Sequence, residues 1–232
     1  MECIDIKMSG AVADLVWLLD RGYPKKPALD LVGNRHSLDR DERLVLYRGV
    51  FDRASAAARM AKKCDPFSEH IDRLLIDGYN VLITIESYLA GKRVFRSLDG
   101  FVRDISGIYG GYVFGDLTKR SVGLLIEFVA MLPPAAEPAK RPAVTLYLDE
   151  PVSRSGELAS FIRESLRLGD IRGEVKVVHN PDEELKREST NSERAAVATS
   201  DTVVIDKVRR CVDIPSFLIG RLFGKTVSET FC

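Results

Sequence analysis

The chain has 232 residues, of which 45% are hydrophobic, enough for one large core or for a main domain beside a smaller helical one. Its 34 basic and 34 acidic residues balance, which excludes a globally basic nucleic-acid binder but leaves local basic patches open. The four cysteines are scattered and form no CxxC pair, which predicts neither a zinc site nor a disulfide scaffold. The sequence shows no signal peptide and no membrane-length apolar run, so we expect a cytoplasmic protein with no membrane partner.

Residues 1–67 have the pattern of a small all-helical domain. A first apolar helix is followed by a short second one, which we expect to end at Gly33-Asn34. Ser37 or Asp39 can cap a long third helix that runs to about Lys63. The helix-breaking segment that follows marks a domain boundary at residue 67.

Residues 68–232 alternate between strand and helix patterns. The strands are short, nearly continuous apolar runs, which are typical of parallel strands covered on both faces. We therefore predict an α/β domain with a mostly parallel sheet flanked by helices. Residues 97–116 are interpreted as one long glycine-rich loop, and residues 212–214 and 217–219 as strands that finish or cover the sheet. The principal strands are predicted at 74–76, 144–148, 174–178 and 195–199.

Three of these strands run directly into an acid: Asp77, Asp149 and Asp201. Parallel strands share one carboxyl edge, so the three carboxylates converge if the strands are neighbours. Two carboxylates about 4 Å apart repel by roughly 4 kcal/mol at an effective dielectric of about 20, a cost that a cation removes. All-oxygen ligation favours Mg²⁺ or Mn²⁺, which can activate water for attack on a phosphodiester. The alternative for each Asp alone is a turn former or helix N-cap.

Two motifs carry a family resemblance. Ile76-Asp77-Gly78-Tyr79-Asn80-Val81 resembles the opening motif of PIN-like nucleases, most closely their NYN branch with the YacP-like proteins, and Ala198-Thr199-Ser200-Asp201 resembles the later TSD motif. The resemblance covers about residues 72–223. It implies a PIN-like sheet and metal-dependent nuclease activity, more on RNA than on DNA. It also implies that Asp77 and Asp201 bind metal, with Asn80 and Ser200 orienting ligands or phosphate.

The arrangement of the whole chain resembles a second family, which is uncharacterised and mainly archaeal. In that family a helical domain of unknown function precedes a PIN-like domain. The residues that carry this resemblance are Arg21-Gly22-Tyr23-Pro24 and Leu31-Val32-Gly33-Asn34-Arg35. This second resemblance implies no activity.

A fourth acid is expected beside the other three, because NYN proteins usually carry one on a helix before the TSD strand. Asp182 is our choice, although an Asp after Pro181 is equally typical of a helix start. The long loop offers Asp104 as another ligand and Arg103 as a phosphate contact. The alternative for both is an ordered surface loop.

The helical region holds a local basic cluster around Tyr23. Its members are Arg21, Lys25, Lys26, Arg35 and Arg43. Such a cluster can neutralise phosphates while the aromatic ring stacks on a base, which would make the helical region a nucleic-acid-positioning module. The alternative is a helical cap whose basic side chains pair with nearby acids.

The main functional hypothesis is a Mg²⁺- or Mn²⁺-dependent nuclease. The alternative is a catalytically inactive PIN-like module for nucleic-acid binding or assembly. A phosphohydrolase with Asp77 as covalent nucleophile is disfavoured, because Tyr79 stands where that chemistry normally needs a second Asp. The sequence leaves open whether the protein forms a homodimer.

Overall fold

The computed structural model describes residues 6–106, 112–134 and 142–223 of the chain. A helical region comes first and contains α1 (Ile6–Leu19), α2 (Lys25–Arg35), α3 (Arg40–Gly49) and α4 (Arg53–Met60). The chain continues as β1 (Arg73–Asp77), α5 (Gly78–Leu89), β2 (Val94–Arg96), β3 (Val102–Asp104), α6 (Asp116–Met131), β4 (Ala143–Asp149), α7 (Ser155–Leu168), β5 (Gly173–Val178), α8 (Pro181–Thr190), β6 (Ala195–Ala198), α9 (Thr202–Lys207), β7 (Cys211–Val212) and α10 (Ile214–Phe223).

Five strands form one sheet in the order β5-β4-β1-β6-β7, and all four strand pairs are parallel. Side chains alternate between the two faces of this sheet. Leu74 and Ile76 pack with α5, α6, α7 and α10 on one face, whereas Leu75 packs with α8 and α9 on the other. Both faces are therefore covered, which confirms the predicted α/β class with a parallel sheet behind a small helical region.

The long third helix of the prediction is wrong, because the structure has two helices there. Asp39 caps α3 in a capping box, with its carboxylate accepting from the Glu42 N–H at 2.8 Å. The backbone leaves the helix at Val50, which is extended and fully buried. Asp52 then caps α4 by accepting from the Ser55 N–H at 2.8 Å. Burial of the residues between α3 and α4 and this second cap explain the break.

Gly33 does not end α2, contrary to the prediction. The helix continues to Arg35, and the Arg43 guanidinium lies over Gly33. A Cβ at this position would stand 2.2 Å from Arg43 Nη1, so glycine is needed for this close contact. Arg43 Nε also donates to the Leu38 carbonyl at 3.0 Å, which fixes the guanidinium there.

The predicted loop over residues 97–116 is wrong in its first part. Residues 94–104 form an antiparallel hairpin of β2 and β3, whose turn contains Gly100 at φ +80°. The hairpin packs against the helical region: Phe95 is buried in its core, and the Leu98 N–H donates to the Gly49 carbonyl at 2.9 Å. Residues 107–111 lie outside the described residues.

The chain after β6 also differs from the prediction. The last strand is only Cys211–Val212, and the strand predicted at 217–219 lies within α10. Asp213 accepts from the Ser216 N–H at 3.1 Å, so its side chain starts a helix where apolar residues suggested a strand. Among the described residues, no helix is long and apolar enough to cross a membrane.

Candidate functional site

Four acids meet at the carboxyl edge of the sheet, and we call them the acidic edge. Asp77 ends β1, Asp149 ends the neighbouring β4, and Asp201 follows β6 on the other side of β1. Asp182 lies in the first turn of α8. Its negative charge raises the pKa of both Asp77 and Asp149, and that of Asp201 raises the pKa of Asp77 and Asp182. The four carboxylates are therefore electrostatic neighbours.

Asp77 is the most buried member of the acidic edge, with 8% of its surface exposed. The Thr199 hydroxyl donates to its Oδ2 at 2.8 Å, and the Asn80 N–H approaches its Oδ1 at 3.5 Å. The pKa of Asp77 is raised to about 7: burial is the main cause, the Thr199 hydrogen bond opposes the shift, and the negative charges of Asp182 and Asp201 add to it. Asp77 thus caps α5 and also faces acids.

Asn80 and Ser200 connect two strand ends. The Asn80 Oδ1 accepts from the Ser200 N–H at 2.8 Å and from the Ser200 hydroxyl at 3.0 Å, and both residues are buried. This contact ties the turn after β1 to the turn after β6. Asp201 in that second turn accepts from the Val203 N–H at 2.7 Å and so caps α9. Asn80 and Ser200 therefore position Asp201 relative to Asp77.

Asp149 and Asp182 are less buried than Asp77. Burial raises the pKa of each, and the charge of a neighbouring acid adds to the effect. Lys207 and Lys186 act in the opposite direction on Asp182. Asp182 is in the first turn of α8, as predicted for a helix start, and it is also coupled to the other three acids.

The structure places Asp104 and Arg103 in β3, and their polar atoms contact residues other than the four acids of the acidic edge. Asp104 accepts from the Thr84 hydroxyl at 3.1 Å and lies 3.7 Å from Arg48. Arg103 is buried, donates to both carboxylate oxygens of Asp99 at 2.6 and 2.9 Å, and donates to the Ser200 carbonyl at 2.9 Å. These contacts give Arg103 a structural role beneath the site.

The five basic residues predicted around Tyr23 do not act as one cluster. Arg21 lies over the Trp17 ring at 3.7 Å, Arg35 pairs with Asp14 at 3.2 Å, and Lys26 is exposed. Arg43 donates to the Leu38 carbonyl and to Asn34 Oδ1. Lys25 alone of the five lines a cavity together with residues of the α/β part, and its ammonium lies 4.0 Å from the Phe51 ring centre. The prediction thus grouped residues that the helices separate.

A cavity of about 420 Å³ lies between the helical region and the acidic edge, and we call it the α3 cavity. Sequence reasoning missed Tyr47, Arg48 and Phe51 in its wall. The available signal for Tyr47 and Arg48 was their spacing on α3, where arginines, a leucine and a tyrosine recur every three or four residues, whereas Phe51 follows the helix. The cavity is lined by Lys25, Leu44, Tyr47, Arg48, Phe51, Asn80, Arg103, Ser200, Asp201, Thr202 and Val203.

The acidic edge has the donor chemistry of a divalent-cation site but not a closed cage. Within residues 6–106, 112–134 and 142–223, no three His, Cys, Asp or Glu side chains form a group that could hold a metal ion. The carboxylates act on each other through their charges rather than by sharing one coordination sphere. Mg²⁺ commonly takes only one or two carboxylates and completes its shell with water and substrate phosphate, a requirement that these residues fit.

Two family models match the chain. A domain of unknown function (DUF5616) covers residues 69–217, and a protein of unknown function (DUF434) covers residues 7–62. An uncharacterised protein of the archaeon Methanocaldococcus jannaschii is 34% identical over 208 residues, which are 88% of this chain and 92% of that protein. No solved structure matches the chain.

These matches agree with the expected archaeal family that has a helical region in front, whereas the resemblance to PIN-like and NYN nucleases stays a prediction. A parallel α/β domain with an acidic carboxyl edge follows a helical region that matches a family model of its own. The chain therefore belongs to the DUF5616 family.

Proposed function

We propose that this protein is a Mg²⁺- or Mn²⁺-dependent nuclease that hydrolyses phosphodiester bonds, in RNA rather than DNA. The observation that carries the proposal is the electrostatic coupling of four carboxylates from different elements at one sheet edge. Their mutual repulsion is unfavourable unless a proton or a cation compensates for it. The preference for RNA rests on the resemblance to the NYN branch.

The residues of the acidic edge and their hydrogen-bond partners have different roles in this proposal. Asp77, Asp149 and Asp201 would surround the ion, one or two of them as direct ligands and the rest through its bound waters, and Asp182 would assist. The Thr199 hydroxyl orients the Asp77 carboxylate, and the Asn80–Ser200 contact fixes the turn that carries Asp201. A bound Mg²⁺ or Mn²⁺ supplies charge neutralisation for the phosphate and a more acidic water. Because substrate phosphate completes the coordination, metal and nucleic acid should bind cooperatively.

A catalytically inactive nucleic-acid-binding module is the second candidate. It is favoured by the lack of a three-acid group among the described residues and by the cations that line the α3 cavity. A single measurement distinguishes the two candidate functions. The second predicts nucleic-acid binding with no cleavage under any metal condition.

The test is cleavage of an end-labelled single-stranded RNA, and of the same sequence as DNA, with Mg²⁺, Mn²⁺ or EDTA. We expect metal-dependent fragments from RNA. Asp77→Asn and Asp149→Asn should each lower the rate by more than the roughly 10–100-fold that loss of a group beside a metal ligand costs.

Glu193→Gln is the matched control, because Glu193 is a carboxylate with a 92% exposed side chain just before β6, at the opposite sheet edge. It should cleave like the wild type. Equal cleavage by Asp77→Asn and the wild type would show that the proposed site is wrong.

A further inference from the structure

One face of α3 combines exposure, positive charge and an aromatic ring. Its residues are spaced three or four apart, so they share a single helical face. Tyr47 is 51% exposed, so its ring is accessible on this face. The residues of this face are Arg40, Arg43, Leu44, Tyr47 and Arg48.

Tyr47 stands between two cavities. The α3 cavity lies on the side of the acidic edge, and a second cavity of about 430 Å³ lies on the other side. Leu44 and Tyr47 line both, so the two cavities adjoin at these side chains on α3. The second cavity is lined by Leu29, Arg40, Arg43, Leu44 and Tyr47.

Lys25 lies within electrostatic reach of both cations and acids. Among the described residues it has no carboxylate in ion-pair contact, and its ammonium lies against the rings of Phe51 and Tyr47. The pKa of Lys25 is lowered to about 7, mainly by burial and also by the positive charges of Arg103 and Arg59, whereas Asp99 and Asp52 oppose the shift. An anion in the α3 cavity would relieve this repulsion.

The α3 cavity also reaches the acidic edge, because Asp201 belongs to both. Its wall thus changes from basic and aromatic on the helical side to acidic on the sheet side. A phosphate held on the basic side leaves the adjacent part of the same polymer facing the carboxylates. This polarity suits a chain of phosphates better than a single small anion.

We propose that the α3 face is the track for a single-stranded nucleic acid, with Tyr47 stacking on a base and with Lys25 and Arg48 binding the phosphate that precedes the acidic edge. The two cavities seat nucleotides on either side of Tyr47. Stacking and phosphate contacts are sequence-tolerant, so the track selects single strands rather than a sequence. The track's place in a cleavage reaction rests on the proposed nuclease function, whereas binding itself does not.

The experiment is fluorescence anisotropy of a labelled single-stranded RNA in EDTA, where no metal-dependent cleavage occurs. Tyr47→Ala should weaken binding by roughly 5- to 150-fold, the range expected for one stacked base. Lys25→Ala should weaken binding and lower the salt slope of the affinity by about one phosphate contact. Tyr47→Phe keeps the ring and should bind like the wild type.

Tyr23→Ala and Lys26→Ala are the matched controls, because both side chains are exposed on the same helical region and line neither cavity. Both should bind within about twofold of the wild type. Thermal melting checks that every variant is folded. If Tyr47→Ala and Lys25→Ala bind like the controls, or if the wild type does not bind single-stranded RNA, the track is refuted.

Competition separates a polymer from a free nucleotide. Unlabelled single-stranded RNA should displace the probe at far lower concentration than adenosine monophosphate or inorganic phosphate. Equal competition per phosphate would overturn the polymer track. Because these measurements need no metal, failure of cleavage at the acidic edge leaves their outcome unchanged, and a failed track leaves the cleavage assay interpretable.

Discussion

Asp77 has several structural roles at once. It ends β1, caps α5 and accepts the Thr199 hydroxyl, all from a position with 8% exposure. Asparagine can fill the capping role nearly as well as aspartate, because its side-chain oxygen accepts the same N–H. The negative charge is therefore not needed for the fold, which points to a functional reason for an acid at this position.

Asp77→Asn should stabilise the metal-free protein at pH 8. The unfolded chain releases the Asp77 proton near the ordinary aspartate pKa of 3.8, but the folded state keeps it up to a pKa of about 7. Between these values unfolding releases a proton, so the Asp77 contribution to stability falls as pH rises and stays low above about 7. We expect a gain of roughly 2–4 kcal/mol at pH 8 that vanishes near pH 4.

Chemical denaturation in EDTA at both pH values measures this effect. A gain that is the same at pH 4 and pH 8 would contradict the assignment to a charge. A loss of stability at pH 8 would mean that the carboxylate supports the fold through its hydrogen bonds.

The acids of the site could be predicted because their placement depends on a general rule. Asp77, Asp149 and Asp201 each follow an apolar run, and parallel strands present such residues at one edge. Lys25 could not be singled out from Arg21, Lys26 and Arg35 in the same way. Its position beside Phe51 and the acidic edge depends on packing between segments that are far apart in the sequence.

The junction of β1 and α5 explains why Gly78 follows Asp77. A Cβ on Gly78 would lie 2.8 Å from the Tyr147 carbonyl oxygen and 2.6 Å from Leu148 Cδ2. Since β4 pairs with β1 at this point, its backbone cannot move away without breaking the sheet. The glycine therefore allows the two strand ends to approach each other.

Gly78→Ala should destabilise the protein by about 1–3 kcal/mol, the usual cost of overpacking a core. Gly123→Ala is the control, and we expect it to change the free energy of unfolding in the opposite direction. Gly123 lies inside α6, and a methyl group added there would have no neighbouring atom within 4 Å. It should stabilise by about 0.5–1 kcal/mol through helix propensity. Denaturant titration compares the two, and a neutral Gly78→Ala would contradict the close approach.

Among the helices and strands, the ones that follow from the local pattern of apolar residues could be predicted from the sequence. The apolar runs of the central sheet and the helices between them lie close to the predicted positions. The break at Val50 and the pairing of β2 with β3 were missed because both depend on long-range contacts, although Val94-Phe95 alone has the pattern of a short strand. Val50 is buried by tertiary packing, and the hairpin is held through Phe95 in the helical core.

Across the whole molecule, charged side chains connect the helical region to the α/β domain. Arg59 of α4 donates to both carboxylate oxygens of Asp206 in α9, at 2.7 and 2.8 Å. Lys63 donates to Asp213 at 2.9 Å and to the Gly100 carbonyl at 2.6 Å. These contacts hold the basic wall of the α3 cavity in place against the acidic edge.

Arg59→Ala should destabilise the protein by about 1–3 kcal/mol, because it removes a bidentate pair in which the Arg59 side chain is buried, together with the packing of Arg59 on Phe51. Arg53→Ala is the control, since Arg53 also pairs with an acid, Asp20, but its side chain is 82% exposed. Its cost should stay below about 1 kcal/mol. Thermal unfolding measures both, and equal costs would contradict a structural role for the Arg59 pair.

The position of the β2–β3 hairpin in the sequence has a consequence for folding during synthesis. The core of the helical region includes Phe95 and packs against Leu98 and Ile105, which the ribosome adds long after α4 is complete. Early in synthesis, the four nascent helices lack part of their apolar interior and cannot reach their final packing. A polypeptide that terminates prematurely near residue 67 would expose that unfilled surface, which marks it for chaperones and proteases.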